Sequence, residues 1–434
     1  MAAARGAMGD GGGDSPESPR GMARVASLCV EKIVSEAKIT LALAAAALIF
    51  VAGGVSASLD KAARPPPRAA RPAPPRVVNA APPIRPTRAA PQAFQADLER
   101  LSRSFPGDVG VAVFDVDDGW IASWQGDRPF PQQSVSKVWV AVALLDEVDR
   151  GMVDLGKSLT IGRQDLSVFN EPIQVLVKPT FTTTVSDLLV RAIRDSDNAA
   201  NDLVIQTAGG VRRIQAILAL KGVEGVRLGM DEKHLQAVIN GLDWKPEFAG
   251  TSALSLARSR LPLAVREATL ANYVSHPIDG ATPVGTVEGL AALSRGKLLS
   301  PASTQRLIGI MDEVRTGKRR LKGGLERGWM LAHKTGTGPD LRGASVGIND
   351  VGLLTAPDGH VYAVAVFIAH TRAGTPERLA FMQRVSELVE ASWSRSAPPG
   401  PLPATQAAPP TTPPAGAARA HHHRRHGRKH GRRH

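Results

Sequence analysis

The chain has 434 residues and a formal net charge of +13. Residues 1–91 and 397–434 hold 19 of its 53 basic and six of its 40 acidic residues, so 92–396 is neutral, with 34 of each; a nucleic-acid-binding enzyme is expected to carry its basic patch on the folded domain, and here the excess charge lies on the appendages. The only cysteine, Cys29, excludes an intrachain disulfide, so the fold must rest on its core.

Residues 39–54 (ITLALAAAALIFVAGG) are apolar and uncharged, follow Arg24, Lys32 and Lys38, and lead into the small-residue pattern Val55-Ser-Ala57. Residues 1–57 therefore read as an export segment. The run exceeds a usual signal core but falls short of the ~20 residues of a spanning helix, so it is either cleaved after Ala57 or kept as an N-terminal membrane anchor. Residues 58–93 are rich in Pro, Ala and Arg and read as an extended linker. The folded domain is expected over 94–396, on the far side of the cytoplasmic membrane.

Within that domain, GVAVFDV-DDGW-IASW from Gly110 alternates and turns like a two-stranded hairpin. Ser134 opens a helix in which Val138, Ala141, Val142 and Leu145 recur at helical spacing, and Gly151 ends it. A helical run from Thr184 leads into Ser196, and a second helix over 199–207 stops at Gly209-Gly210. Residues 329–336, 345–356 and 361–369 read as strands, the last two joined by Pro357-Asp-Gly359, and 377–393 reads as a closing helix. This order predicts an α+β fold. Its first and last strands join in one five-stranded antiparallel sheet flanked by helices, with an all-helical subdomain inserted.

Three strings lie in order along this domain: Ser134-Val-Ser-Lys137, Ser196-Asp-Asn198 and Lys334-Thr335-Gly336. Ser-x-x-Lys also begins at Ser35, Ser58 and Ser294, so one copy says little, but the other two strings occur once each and the ordered trio is specific. A serine hydroxyl is nearly inert at neutral pH without a base in reach. Lys137, one turn after Ser134, is the nearest base for it. Ser196 can pass a proton between Lys137 and a leaving nitrogen, and Asn198 can orient both Lys137 and a substrate amide. Lys334 supplies charge for a substrate carboxylate, with the Thr335 hydroxyl and Gly336 beside it. Asp197 reads as a cap, His333 as packing at a strand end, and Arg342 and Arg372 as surface charge. No metal-ligand spacing or phosphate loop is present in the domain, so neither metal nor cofactor is expected.

The trio resembles that of the serine penicillin-recognising enzymes, the class A β-lactamases and penicillin-binding proteins. The resemblance covers roughly 94–396 and implies that the Ser134 and Thr337 N–H groups form an oxyanion hole, the Thr337 side chain being free to vary. It also directs attention to Val226-Arg-Leu-Gly-Met-Asp-Glu-Lys-His-Leu-Gln236, which is similar to the class A loop pattern Arg-Leu-Asp-Arg-Trp-Glu-x-x-Leu-Asn. Glu232 then stands as the base that hydrolyses the acyl-enzyme. Gln236 replaces the Asn that helps to hold the deacylating water, and Met230 replaces the Arg that pins the loop. Asp279 matches the other end of that ion pair, now without its partner. Between Gln236 and Asp279 the chain carries about thirty residues more than the pattern needs, read as a partly helical amphipathic insert with Leu254, Ala257, Leu261, Leu263 and Val265 on one face.

The expected function is thus a monomeric serine β-lactamase whose partner is a small β-lactam. A low-molecular-mass penicillin-binding protein or D,D-peptidase is the alternative, with Glu232 as the discriminator. A weakly catalytic envelope protein is a third reading, against which the intact trio argues. The tail, 397–434, is a Pro/Ala-rich stretch ending in HHHRRHGRKHGRRH. It is expected either to touch anionic envelope surfaces or to stay a solvated terminus.

Overall fold

The computed structural model describes residues 81–396; the export segment, residues 58–80 of the expected linker and the 397–434 tail lie outside the described residues. Strand β1 (Arg88–Ala89) precedes helix α1 (Gln92–Ser104), which buries Phe94 and Leu98 at i, i+4 spacing. Strands β2 (Gly107–Asp115) and β3 (Trp120–Trp124) form the expected hairpin. After the short β4 (Phe130–Pro131), a 3-10 turn (Gln133–Ser136) carries Ser134 into α2 (Lys137–Asp149). Every α2 residue from Lys137 to Glu147 is buried. A helix apolar nearly all round belongs in the centre of a domain, and this one runs through the core.

The inserted region contains the ribbon β5 (Ser158–Ile161) and β6 (Phe181–Thr184), so it is not all-helical. It continues with α3 (Val185–Val190), which ends in a π turn (Arg191–Asp195), then α4 (Asn198–Thr207) and α5 (Val211–Leu220). Helix α6 (Glu232–Val238), α7 (Ala253–Arg260) and α8 (Leu263–Ser275) follow, with β7 (Gly280–Ala281), α9 (Pro283–Ser294) and α10 (Pro301–Asp312) behind them. The chain returns through β8 (Met330–Gly336), β9 (Asp340–Leu341), β10 (Ala344–Thr355) and β11 (Val361–Thr371) to α11 (Thr375–Ser396).

The sheet has seven strands in the order β1-β3-β2-β11-β10-β8, with β9 beside β10. Its centre is the five-stranded antiparallel array that the sequence predicts. The expectation is corrected at its margins: β1 pairs parallel to β3, so the sheet is mixed, and β9 adds a further strand. The two-residue period of β11 sorts its side chains between two cores. Ala363, Ala365 and Phe367 face the large core with α2 and α9, while Tyr362, Val364, Val366 and Ile368 join Phe94, Leu98, Phe381 and Val385 on the other face.

The linker reading does not hold for residues 81–93. Arg88 and Ala89 add a strand to β3, and Arg85 Nη1 meets the buried Glu288 carboxylate at 2.7 Å. Pro- and Ala-rich composition records little burial, but strand pairing, backbone bonds from Ala81 and Thr87, Ile84 against the core and the Arg85 ion pairs together dock the segment.

The insert is helical as expected, with a different inward face. Leu254 is buried with Phe248, whereas Leu263 and Val265 are exposed. Helix α8 instead buries Leu270 and Tyr273 near its C-terminal end, where Tyr273 packs with Leu235, Ile239 and Val346. Among the described residues no helix is long and apolar enough to cross a membrane.

Candidate active site

Ser134 and Lys137 share the turn that enters α2, and Lys137 Nζ lies 3.1 Å from Ser134 Oγ. The amine is fully buried and also donates to Asn198 Oδ1 (2.6 Å) and to the Ser196 carbonyl oxygen (2.9 Å). Its fourth neighbour is Glu232 Oε1 at 3.4 Å. An ammonium has three hydrogens for these four acceptors, and passing one to Glu232 turns Lys137 into a base facing Ser134. Its contact with Ser196 is through the backbone and not the hydroxyl.

Ser196 sits where the π turn meets α4, with φ of +58°. A non-glycine residue in this left-handed region stores strain and is commonly held there by surrounding contacts. Asp197 caps α4 as expected, accepting from Ala200 N (2.9 Å) and Ile173 N (2.7 Å). Asn198 donates to Val168 O at 2.8 Å, which fixes its amide so that Oδ1 meets Lys137 and one amide hydrogen is left for substrate.

Strand β8 lies against this turn. Lys334 Nζ donates to Ser196 Oγ (2.9 Å) and to Thr335 O (3.0 Å). Burial, then the charge of Lys137, holds the Lys334 pKa well below its ordinary value. The Lys334 bond occupies a lone pair of Ser196 Oγ and leaves the Ser196 proton to be donated elsewhere. Gly336 is set by close approach, since a Cβ there would stand 2.4 Å from Gln132 O. His333 is buried in β8 with Nδ1 2.7 Å from Asp350 Oδ1.

Two expectations for this strand change. The Thr335 hydroxyl pairs with Thr316 Oγ1 at 2.6 Å, so it meets a protein partner. The Thr337 side chain is not free, because Arg320 Nη2 donates to its Oγ1 at 2.7 Å. Arg320 also donates to Gly336 O (2.8 Å) and Asn349 O (2.6 Å), which places a guanidinium behind the Lys-Thr-Gly strand. The sequence reading missed Arg320, which lies in the basic run Lys318-Arg319-Arg320 with no motif to single it out.

Glu232 is buried at the first turn of α6. Its backbone N–H donates to Asp202 Oδ1 at 2.7 Å, and Asn201 Nδ2 donates to its Oε1 at 3.3 Å. Its Oε2 makes no hydrogen bond to any described residue and is the oxygen able to receive a water proton. Asp202, fully buried with Asp231 and Glu232 near it, is pushed up to about 8.

Gln236 reaches the turn that carries Ser134. Its Nε2 donates to Gln133 Oε1 at 3.1 Å. Gln133, with φ of +52°, is a hub: its N–H donates to Asp279 Oδ2 (2.7 Å) and its Nε2 to the Tyr273 hydroxyl (2.6 Å). Tyr273 OH in turn donates to Asp279 Oδ1 at 2.9 Å. Among the described residues Asp279 has no ion pair, in line with Met230 standing where the pattern has an arginine, and its hydrogen-bond partners are neutral. With burial uncompensated by a cation, its carboxyl is pushed up to about 6. The one available signal was that Tyr273 is among only two tyrosines in the chain and lies in the insert.

The cleft above these groups has a volume of about 260 Å³ and is lined by Ser134, Asn198, Gln236 and Thr337, with Phe169 and Arg258 among the others. Arg342 and Arg372 line a separate hollow beside α8 and share no lining residue with it. Among the described residues no group of three or more His, Cys, Asp or Glu could hold a metal.

This arrangement can form and break an ester at Ser134. Among known proteins, the beta-lactamase enzyme family matches residues 93–393. The chain is 26% identical to beta-lactamase VEB-1 of Pseudomonas aeruginosa over 63% of its length and 82% of that protein, and 25% identical to the extended-spectrum beta-lactamase PER-1 of the same organism, over 68% and 85%. A solved beta-lactamase from Chitinophaga pinensis is 27% identical with a TM-score of 0.58, covering 70% of this chain and all of that one. An ancestral class A beta-lactamase reaches 30% identity with a TM-score of 0.54, over 69% and 99%. The chain belongs to the beta-lactamase enzyme family.

Proposed function

We propose that Ser134, Lys137, Ser196 and Glu232 carry the two half-reactions of a class A serine β-lactamase. Ser134 Oγ attacks the lactam carbonyl as its proton passes to Lys137, the Ser134–carbonyl bond forms and the lactam C–N bond breaks. Ser196 gives its proton to the departing nitrogen and is reprotonated by Lys137, which then recovers the proton it had passed to Glu232. Glu232, again a carboxylate, takes a proton from water as the water oxygen attacks the ester carbonyl, and returns that proton to Ser134 Oγ as the ester C–O bond breaks, which releases the ring-opened acid and restores Ser134. Lys334, Gly336 and the Thr335 and Thr337 region receive the substrate carboxylate, backed by the Arg320 charge. Asn198 and Gln236 border the side-chain amide.

The observation that carries the reading is the single amine of Lys137, 3.1 Å from Ser134 Oγ and 3.4 Å from Glu232 Oε1. It serves a nucleophile and a carboxylate base at once. The site is complete within one chain, which supports action as a monomer on a small molecule. The apolar segment at 39–54 and Val55-Ser-Ala57 support export to the periplasm, either soluble or tethered, with the basic tail touching anionic envelope surfaces.

Intact-mass spectrometry of the full chain with benzylpenicillin tests this. Wild type gives a transient adduct on Ser134, and Glu232→Ala gives a persistent one. Equally long-lived adducts in both overturn hydrolysis by Glu232 and favour a penicillin-binding protein.

A further inference from the structure

The insert reaches the cleft through Asn240, which donates to Gln236 O at 2.7 Å, and through Arg258, and the reaction just described uses neither. Arg258, on α7, lines the same cleft as Ser134, Asn198 and Gln236. Its Nη2 donates to Asp340 O at 3.0 Å, just past the Lys-Thr-Gly strand. A guanidinium carries five N–H donors, and this is the one bond it makes to a described residue. Among the described residues it forms no ion pair. Burial and the neighbouring charge of Arg266 hold its pKa below the ordinary value.

The other cations of the site are already engaged. Lys334 holds Ser196 Oγ and Thr335 O, and Arg320 holds Gly336 O, Asn349 O and Thr337 Oγ1. They mark the end that receives the ring carboxylate. In a penicillin the ring nitrogen and carboxylate lie on one side of the scissile carbonyl, and the carbon bearing the acylamino side chain on the other. With the carbonyl at Ser134 and the carboxylate at Lys334, the side chain runs past Asn198 and Gln236 toward α7.

We propose that Arg258 is a specificity-determining residue that binds a second anionic group, a carboxylate or sulfonate, on the acylamino side chain of the substrate. The inference rests on the lactamase reading. Binding there is remote from the reacting carbon, so the gain appears in KM more than in kcat.

The test is a matched pair of substrates: benzylpenicillin and α-carboxybenzylpenicillin, which differ by one carboxylate. The ratio of kcat/KM for the carboxylated to the plain penicillin is measured for the full-length wild type, Arg258→Gln and Arg258→Glu. The ratio falls about tenfold in the Gln variant and further in the Glu variant, as expected for a charge-assisted hydrogen bond. In the wild type it also falls as salt rises from about 0.05 to about 0.5 M, a measurement independent of how the variants fold. A ratio within about twofold of wild type in both variants, or unmoved by salt, overturns the proposal. Absence of any benzylpenicillin adduct on wild-type Ser134 overturns the lactamase reading itself, a different result.

Discussion

Around Ser134 the buried cations have answering groups close by, Lys137 with Glu232 and Asn198, Lys334 with Ser196 and Thr335 O. Around Glu232 the buried carboxylates are held otherwise: Asp202 accepts backbone N–H bonds, and Asp279 accepts from a phenol and an amide. Both regions join distant segments: Lys334 meets Ser196 across 138 residues, and Gln133 meets Asp279 across 146. They differ in the partners, the first setting ammonium groups against a carboxylate, an amide, a hydroxyl and carbonyls, the second holding buried carboxyls with neutral N–H and O–H donors. One site can thus rest on two kinds of electrostatic support.

Substitutions separate the two halves. The largest effect is expected from Ser134→Ala and Lys137→Ala, which remove acylation: turnover falls at least about a thousandfold and the mass adduct is absent. Next, Glu232→Gln leaves acylation in place and slows deacylation by about a hundredfold or more, read as burst kinetics followed by a slow steady state. Tyr273→Phe breaks the neutral network. It leaves Gln133 Nε2 without its acceptor and Asp279 with the Gln133 N–H but without the Tyr273 hydroxyl, at about 1–3 kcal/mol in urea unfolding. The adduct lifetime lengthens in that variant by a larger factor than acylation slows. If both rates fall equally, the two halves are mechanically one.

The smallest effect is on pH. Asp202, Glu171 and Asp279 are pushed up to about 8, about 7 and about 6, chiefly by burial. All lie above ordinary carboxylate values, so near neutrality the folded protein holds protons that the unfolded chain has released. The stability they lend is complete below the ordinary carboxylate range and is lost as pH rises toward 8. Their contribution therefore lowers Tm between about pH 5 and about pH 8. Asp202→Asn, which cannot ionise, flattens that slope in thermal unfolding followed by circular dichroism.

The convergence of the three strings was legible because each lies on or beside a regular element whose period places its side chains. The five central strands were legible for the same reason, as alternation in β2, β10 and β11 is a local property. Arg320, Gln133 and Tyr273 were not. Gln133 meets Tyr273 across 140 residues of chain, and no local pattern records that contact. The docking of 81–93 was hidden in the same way, since Arg85 finds Glu288 203 residues later. Thr337 was read as free because a backbone role leaves a side chain unspecified, whereas Arg320 specifies it from outside the motif.

The hydroxyl of Tyr273 also makes the insert a strut for the turn that carries Ser134. Asp279 accepts from the Gln133 N–H and from Tyr273, and Gln133 stands next to Ser134 in the chain. Tyr273 lies on α8, inside the insert, so the segment that lengthens the chain here also holds the floor beneath the serine. Shortening the insert would therefore cost more than a surface loop does, because it would take away a buried hydroxyl that two neighbours share.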